Sequence, residues 1–255
     1  MASSPLILGH RGNSSLAPEN TLAAFSRAIR DGADGIEFDV RLARDHVPVV
    51  IHDATLKRTG LFDRAVASLT AAELQEIDVG SWFGSSTFAG ERVPLLSQVF
   101  ELFTDNQGVL YLEMKCDKEE GPQLALEVVR SCQVSGIAQR VVVESFDLDA
   151  IAAIKKCDPN IRTAALFEPK LTRPVSSLRR LKMIDAALAV DADEIALHHT
   201  LAGPGVINKA RAAGLEVVIW TVDDPAWLAR ARSLGVKALI ANNPAAMVAH
   251  RNPAS

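Results

Sequence analysis

The chain is poor in the residues that mark several protein classes. Its 255 residues include only 3 cysteines, which lack the spacing of metal ligands or of a disulfide framework. It has no apolar run of about 18 residues, the length that spans a membrane. Its net charge is −4 without a basic stripe, which argues against nucleic acid as a partner. We expect no secretory leader ahead of the first apolar residues at 6–8, and therefore a cytoplasmic location.

Short apolar runs rich in Val, Ile and Leu alternate with helical patterns along the chain. This alternation is typical of parallel βα units. The predicted strands are 6–9, 35–40, 109–114, 140–144, 161–167, 194–197, 215–220 and 238–241. The length of 255 residues is that at which an α/β barrel forms as one unit. We therefore predict a TIM-type (β/α)8 barrel, with residues 1–255 as a single domain.

A further apolar segment, Val47 to Ile51, follows the second predicted strand after a connection too short for a helix. An antiparallel hairpin turning near Asp45 is favoured, and it would place His52 roughly opposite Asp39. Residues 54–94 then lack the strand and helix alternation and carry several glycines and aromatic residues. Because ordinary barrel connections are far shorter, we predict that this segment is an insertion that caps the mouth of the barrel.

Three carboxylates fall at the carboxyl ends of predicted strands, where the chemistry of this fold is placed. Glu37 and Asp39 share one face of their strand, and Glu113 ends the neighbouring strand. Carboxylates that face one another repel unless a positive charge lies among them. A divalent cation is the simplest solution, and oxygen ligands favour Mg²⁺ or Ca²⁺, with Mn²⁺ as a further candidate. The alternative is that the carboxylates pair only with Arg11 or Lys115.

His10 and His52 also follow apolar strands, and both are candidates for proton transfer because imidazole titrates near neutral pH. Arg11 and Lys115 supply positive charge suited to a phosphate group, and a guanidinium forms bidentate contacts. Trp220 ends the seventh predicted strand, and we expect it to form an apolar wall of the pocket, although a tryptophan there is often only core. These residue types fit the cleavage of a phosphodiester.

The first predicted helix carries apolar residues at helical spacing from Leu22 to Ile29. Asn20 precedes it and is interpreted as its N-cap, and Glu19 is interpreted as a partner of Arg11. Neither residue is expected to be catalytic.

In their order and spacing, the motifs resemble the glycerophosphodiester phosphodiesterase family over essentially the whole chain. The runs that carry the resemblance are Gly9-His10-Arg11-Gly12, Ala17-Pro18-Glu19-Asn20-Thr21, Gly35-Ile36-Glu37-Phe38-Asp39, His52-Asp53, Arg58-Thr59-Gly60, Leu112-Glu113-Met114-Lys115, Ser145-Phe146-Asp147 and Trp220-Thr221-Val222-Asp223. The resemblance implies a barrel with a small cap and makes Glu37, Asp39 and Glu113 the metal ligands. It also implies substrates such as glycerophosphocholine and glycerophosphoethanolamine, cleaved to sn-glycerol 3-phosphate and an alcohol.

For a reaction of this kind we expect the metal to bind the glycerol 2-hydroxyl and a phosphate oxygen, and a cyclic phosphate to form and then be hydrolysed. By analogy with bacterial phosphatidylinositol-specific phospholipases, His10 is the base and His52 the acid, although the residues alone leave this order open. Asn242 stands where the family usually has an aspartate and keeps its shape without its charge. This departure bears on headgroup preference and rate rather than on reaction class.

Other functions fit parts of the same pattern. A lysophospholipase D would act on longer lipids and would need an exposed apolar rim, for which Leu61-Phe62 and Trp82-Phe83 are the only signs. A barrel that binds a cation without turnover would serve as an interaction module, but both histidines and all three carboxylates are retained. A sugar-phosphate isomerase or aldolase would need Lys115 as a Schiff-base lysine and would leave the carboxylates unexplained. The sequence leaves the oligomeric state open.

Overall fold

Eight parallel strands close into a barrel in the computed structural model, which describes residues 4–169 and 177–251. The barrel strands are β1 (Leu6–His10), β2 (Gly35–Leu42), β4 (Val109–Met114), β5 (Val141–Ser145), β6 (Arg162–Phe167), β7 (Glu194–His198), β8 (Glu216–Trp220) and β9 (Ala238–Ala241), and β3 (Pro48–Val50) lies outside it. Strand β1 pairs with both β2 and β9, which closes the ring. The predicted TIM-type (β/α)8 barrel is confirmed, and each predicted strand end lies within two residues of the observed one.

Helices surround the barrel. They are α1 (Leu22–Arg30), α3 (Leu96–Leu102), α4 (Gly121–Ser135), α5 (Leu148–Cys157), α6 (Ser177–Ala189), α7 (Pro204–Ala212), α8 (Ala226–Leu234) and α9 (Pro244–Arg251), whereas α2 (Ala71–Gln75) lies in the segment between β3 and β4. Strand side chains that point outward, such as Ile36 and Phe38 of β2, are fully buried in an apolar layer with helix residues such as Phe25. Within the described ranges, no helix is both long enough and apolar enough to cross a membrane.

The inside of the barrel is filled by the alternate residues of the strands. Leu8, Tyr111 and Val142 pack there with the small residues Ala164 and Ala196. This packing follows from the two-residue period of a strand, which sends successive side chains to opposite faces. The barrel is therefore closed through its middle, and its polar side chains gather at the two ends.

The predicted hairpin is present. Strand β3 runs antiparallel to β2, and the Ile51 N–H donates to the Asp39 carbonyl oxygen at 3.0 Å. Asp39 therefore lies directly opposite Ile51, one residue before His52, which agrees with the expectation that His52 lies roughly opposite Asp39. This register follows from a turn of three residues closed by the Ala43 N–H on the Val47 carbonyl (3.0 Å), in which His46 takes a left-handed φ of 60°.

Residues 54–94 contribute no strand to the barrel. They form α2 and three short 3₁₀ helices, Val66–Ser68, Ser81–Phe83 and Ser86–Phe88. Their buried side chains, among them Leu56, Leu74 and Val79, make a separate small core with Val49 and Ile51 of the hairpin. Because this core includes the residues just before His52, the segment supports the hairpin where it reaches the carboxyl end of the barrel.

Candidate active site

A cavity of about 350 Å³ opens at the carboxyl ends of the barrel strands. Its lining residues are His10, Arg11, Glu37, His52, Glu113, Lys115, Glu144, Phe146, Leu166, Glu168, Trp220 and Ile240. All the predicted site residues except Asp39 are in this set. Asp39 is fully buried, and its carboxylate contacts two of the lining residues, Arg11 and Lys115. The structure therefore brings all the predicted site residues together.

The three predicted metal ligands form a cluster. Glu37, Asp39 and Glu113 each present a carboxylate oxygen, and these oxygens lie within 4.8 Å of one another. The sheet register explains the cluster, because Asp39 of β2 pairs with Glu113 of β4 and Glu37 lies two residues earlier on β2. Asp39 Oδ1 is buried and makes no hydrogen bond to a residue within 4–169 or 177–251, although Lys115 Nζ lies 3.3 Å from it. An unsatisfied oxygen in an all-oxygen donor set fits a hard cation, so the cluster could hold a metal ion.

Two basic side chains lie among these carboxylates. Lys115 Nζ is 2.6 Å from Glu113 Oε1, and Arg11 Nε is 3.1 Å from Asp39 Oδ2. Against the effect of burial, Arg11 and then Lys115 hold the pKa of Asp39 well below its usual range. Burial and the charge of Asp39 raise the pKa of Glu113 to about 7, and burial with both neighbouring carboxylates also raises the pKa of Glu37. The ion pairs proposed as an alternative are therefore present, yet they leave the cluster short of positive charge.

His10 is held by a chain of polar groups. Asn242 Nδ2 donates to Asp223 Oδ2 at 2.8 Å, so Asn242 Oδ1 is the atom that accepts from His10 Nδ1 at 2.7 Å. The proton of the neutral imidazole is thereby assigned to Nδ1, and Nε2, which lies 3.8 Å from Glu37 Oε2, keeps its lone pair. Burial and then Arg11 lower the pKa of His10. Asn242 thus positions the His10 ring, and the Asp223 carboxylate in turn fixes the Asn242 amide.

His52 has a charged partner. Its Nδ1 lies 2.7 Å from Asp53 Oδ1, and Arg58 Nε donates to Asp53 Oδ2 at 2.7 Å. Arg58 also makes two hydrogen bonds to Glu19, which in turn accepts from Arg11 Nη1 at 2.7 Å. The predicted pairing of Glu19 with Arg11 is confirmed. Sequence reasoning did not find that Arg58 links the partner of His52 to the partner of Arg11.

Asn20 supports the carboxylate cluster instead of capping the helix. Its Nδ2 donates to Asp39 Oδ2 at 2.8 Å, and its Oδ1 accepts from the Asp39 N–H at 3.3 Å. The N-cap of α1 is Thr21, whose hydroxyl accepts from the Ala24 N–H, so the expectation for Asn20 was wrong. Asn20 has a φ of 57°, and asparagine adopts this left-handed conformation more readily than most residues. The turn that begins α1 thereby directs Asn20 towards Asp39.

Close packing fixes the position of the loop that carries Arg11. Gly12 has a φ of 86°, and a Cβ there would lie 2.6 Å from the backbone of Ala24 in α1. Only glycine fits this position without a shift of the helix or the loop. The loop therefore lies directly against α1, and the Arg11 N–H donates to Glu37 Oε2 at 3.1 Å.

Aromatic side chains form one wall of the cavity. Trp220 packs edge to face with Phe146, with ring centroids 5.6 Å apart, and Lys115 Nζ lies 5.7 Å from the centre of the Phe146 ring. His198 packs against the other side of Trp220 at 5.1 Å. Trp220 therefore lies where the sequence placed it, at the wall of the pocket, and Phe146 extends that wall.

Sequence reasoning missed Glu144. It lies on β5, pairs in register with Glu113 and lines the cavity, yet it is only 1 % exposed. Burial, and then the charges of Glu37 and Glu113, raise its pKa well above the usual range. The signal was available, because Val142 and Glu144 alternate on one face of a predicted strand and Glu144 ends that strand.

The chain is similar to known proteins over nearly its whole length. Residues 10–246 match the model of the glycerophosphoryl diester phosphodiesterase family. A glycerophosphodiester phosphodiesterase from Caldanaerobacter subterraneus is 32% identical over 243 residues, which cover 95% of this chain and 96% of that protein.

Solved structures give the same result. A phosphodiesterase from Oleispira antarctica, in complex with the product sn-glycerol-3-phosphate, has a TM-score of 0.84 at 25% identity and covers 97% of this chain and 96% of its own. A glycerophosphodiester phosphodiesterase from Agrobacterium tumefaciens has a TM-score of 0.79 at 27% identity, with coverages of 96% and 99%. The arrangement of barrel strands described above is therefore shared with these proteins.

Proposed function

The chain is an enzyme of the glycerophosphoryl diester phosphodiesterase family, and we propose that the cavity at the carboxyl end of its barrel is where it cleaves glycerophosphodiesters. The substrates are diesters such as glycerophosphocholine and glycerophosphoethanolamine, and the products are sn-glycerol 3-phosphate and an alcohol. The observation that carries the proposal is the convergence of three carboxylates, two histidines and two basic side chains on one cavity.

The cation site consists of Glu37, Asp39 and Glu113, and Mg²⁺ or Ca²⁺ fits its all-oxygen donors, with Mn²⁺ as a further candidate. A divalent cation bound there supplies positive charge for the phosphate and lowers the pKa of a hydroxyl group. Arg11 and Lys115 orient the phosphate in this cavity, and Trp220 with Phe146 forms an apolar part of its lining that excludes water.

The partners of the two histidines support their roles as base and acid. His10 Nδ1 donates to a neutral amide, and Arg11 with burial lowers its pKa, which favours the neutral imidazole that a base requires. Burial lowers the pKa of His52 as well, but the Asp53 carboxylate at its Nδ1 opposes that shift and stabilises the protonated ring that an acid requires. We therefore assign His10 as the base and His52 as the acid.

The reaction proceeds in two steps. In the first, the glycerol 2-hydroxyl oxygen bonds to phosphorus, and the bond between phosphorus and the alcohol oxygen breaks. His10 takes the hydroxyl proton, and His52 gives a proton to the departing alcohol. In the second step, a water oxygen bonds to phosphorus and the cyclic ester opens. His52 takes the proton of the water and His10 returns one to the 2-oxygen, which restores both histidines.

One surface feature favours longer lipids as a second substrate class. Leu61 and Phe62, in the segment 54–94, are 67% and 41% exposed. Exposed apolar side chains of this kind suit a lysophospholipase D, so a lysophospholipid belongs among the tested substrates. We interpret the segment 54–94 as a cap on a single domain.

The free cysteines Cys116, Cys132 and Cys157 are consistent with a cytoplasmic location.

The test is release of glycerol 3-phosphate from glycerophosphocholine and glycerophosphoethanolamine, with Mg²⁺, Ca²⁺, Mn²⁺ or EDTA. A matched set of variants is His10→Asn, His52→Asn and His46→Asn, since His46 is exposed at the hairpin turn and asparagine tolerates its left-handed backbone. We expect cation-dependent release, reduced at least about 100-fold in the first two variants and unchanged in the third. Release that persists in EDTA would contradict the cation role, and cation binding without release would favour the inactive barrel.

A further inference from the structure

Glu144 is a buried carboxyl group at the cavity that the proposed reaction does not use. Its Oε2 atom is buried and makes no hydrogen bond to any residue in the described ranges. A buried polar atom without a partner destabilises the protein unless water or a ligand supplies that partner. The side chain lines the cavity, so its carboxyl group lies beside the space that a bound substrate would occupy.

The geometry separates Glu144 from the cation site. Although it pairs in register with Glu113, it completes no group of three ligand atoms within 4.8 Å in the described part of the chain. On its other side it pairs with Ala164, which carries no polar group, and Leu166 lines the cavity nearby. Glu144 thus has Glu113 on one side and small or apolar residues on the other, and the apolar side suits a hydroxyl group better than a second cation.

We infer that Glu144 hydrogen-bonds the terminal hydroxyl of the glycerol moiety and thereby selects substrates in which this hydroxyl is free. This inference rests on the proposed function, in which the 2-hydroxyl reacts and the phosphate lies at Arg11 and Lys115. The terminal hydroxyl is then the remaining polar group of glycerol. The contact does not depend on ionisation, since a carboxylate accepts from a hydroxyl and a carboxylic acid donates to it.

The same contact excludes one class of lipid. An acyl chain on the terminal oxygen would remove the hydroxyl donor and leave the buried Glu144 carboxyl group without that partner. Lysophospholipids acylated at that oxygen are therefore poor substrates, whatever the exposed side chains of Leu61 and Phe62 contribute. The cavity thus favours the deacylated diester.

The test compares glycerophosphocholine with its 1-deoxy analogue, which keeps the 2-hydroxyl and lacks the terminal one. We expect the wild-type kcat/KM to be at least about tenfold higher for glycerophosphocholine. Glu144→Leu, which removes both polar atoms at similar volume, should bring the ratio close to one, and Glu144→Gln, which keeps hydrogen-bonding atoms, should retain part of it. Glu168→Gln removes an exposed carboxylate from the same cavity and should leave the ratio as in wild type.

Calorimetry with sn-glycerol 3-phosphate and its 1-deoxy analogue measures the same contact without turnover. The wild type should bind the former more tightly, and Glu144→Leu should bind the two alike. A wild-type ratio of one, or a Glu144→Leu variant that loses the same factor on both compounds, would overturn the inference and leave the proposed function intact. If the wild type releases product from neither diester, the proposed function fails, and the calorimetric ratio still decides whether Glu144 contacts the hydroxyl.

Discussion

Buried carboxylates are fully paired with cations and hydrogen-bond donors at one end of the barrel interior and incompletely paired at the other. At the end where the strands begin, Glu194 is 0 % exposed and accepts hydrogen bonds from Tyr111 Oη at 2.7 Å, Lys237 Nζ at 2.7 Å and Arg162 Nη2 at 3.1 Å. Glu216 shares both cations and balances their second charge. Every charge in this group has a partner, which is the condition under which a buried ion pair is tolerated.

At the end where the strands finish, Glu37, Asp39, Glu113 and Glu144 face two cations, Arg11 and Lys115. Asp39 Oδ1 and Glu144 Oε2 make no hydrogen bond to a described residue, and the pKa values of Glu37 and Glu144 are raised by burial and by their neighbours. Buried carboxylates thus have a full set of partners at one end of the barrel and an incomplete set at the other. Unpaired carboxylate oxygens in a cavity gain partners only when a ligand binds. The incomplete pairing therefore marks the cavity end as functional and the fully paired end as structural.

The largest expected effect comes from Glu37→Gln. We expect it to lower kcat/KM by more than about 100-fold, since even the loss of an outer partner of a metal ligand costs 10- to 100-fold. In EDTA it should leave the melting temperature unchanged or raise it, because the substitution removes one of the mutually repelling carboxylates. Product release and thermal melting with and without Ca²⁺ measure both effects.

Glu101→Gln on the outer face of α3 is the control, since Glu101 is exposed and lies away from the cavity. It should change neither quantity. A clear fall in the melting temperature of Glu37→Gln in EDTA would mean that the cavity carboxylates stabilise the fold after all, and the contrast between the two ends would be lost.

Glu194→Gln should show the opposite pattern. We expect it to lower the free energy of unfolding by about 2–3 kcal/mol, because Arg162 and Lys237 lose part of their compensating charge. The kcat/KM of the folded enzyme should stay within about twofold of wild type, since the cavity lies at the other end of the barrel. Urea unfolding and steady-state kinetics measure the two quantities. An undiminished stability would show that Glu216 alone balances both cations.

The strands, the barrel and the convergence of the site were accessible from the sequence. Period-two alternation placed Glu37 and Asp39 on one face of a strand, and the known geometry of parallel barrels then brought them to Glu113. These predictions depended only on local pattern and on the rule that strand ends share one face.

Features that depend on atomic geometry were not accessible. The hairpin register is determined by the left-handed backbone of His46, and no pattern of apolar residues distinguishes a three-residue turn from a longer one. Asn20 fits a cap by residue type, yet its contact with Asp39 crosses from a loop to a strand. Glu144 and Glu194 are both acidic residues in apolar strands, and only the structure reveals which one has partners.

The smallest expected effect is a dependence of cation affinity on pH. Burial and Asp39 raise the pKa of Glu113 to about 7, above the ordinary 4.5, so below pH 7 a proton competes with the cation for this carboxylate. The dissociation constant for Ca²⁺ should therefore rise by up to about tenfold as the pH falls from 7 to 6. In EDTA the same shift reduces stability as pH rises from 4.5 towards 7, since the folded state then loses a proton that it binds more tightly than the unfolded chain does. Calorimetric titration of Ca²⁺ at several pH values tests this, with Glu113→Gln as the variant that should weaken binding and leave only the dependence that comes from Glu37. A flat profile in the wild type would mean that Lys115, at 2.6 Å from Glu113 Oε1, keeps the carboxylate ionised, and that the cavity end is better compensated than its crowding indicates.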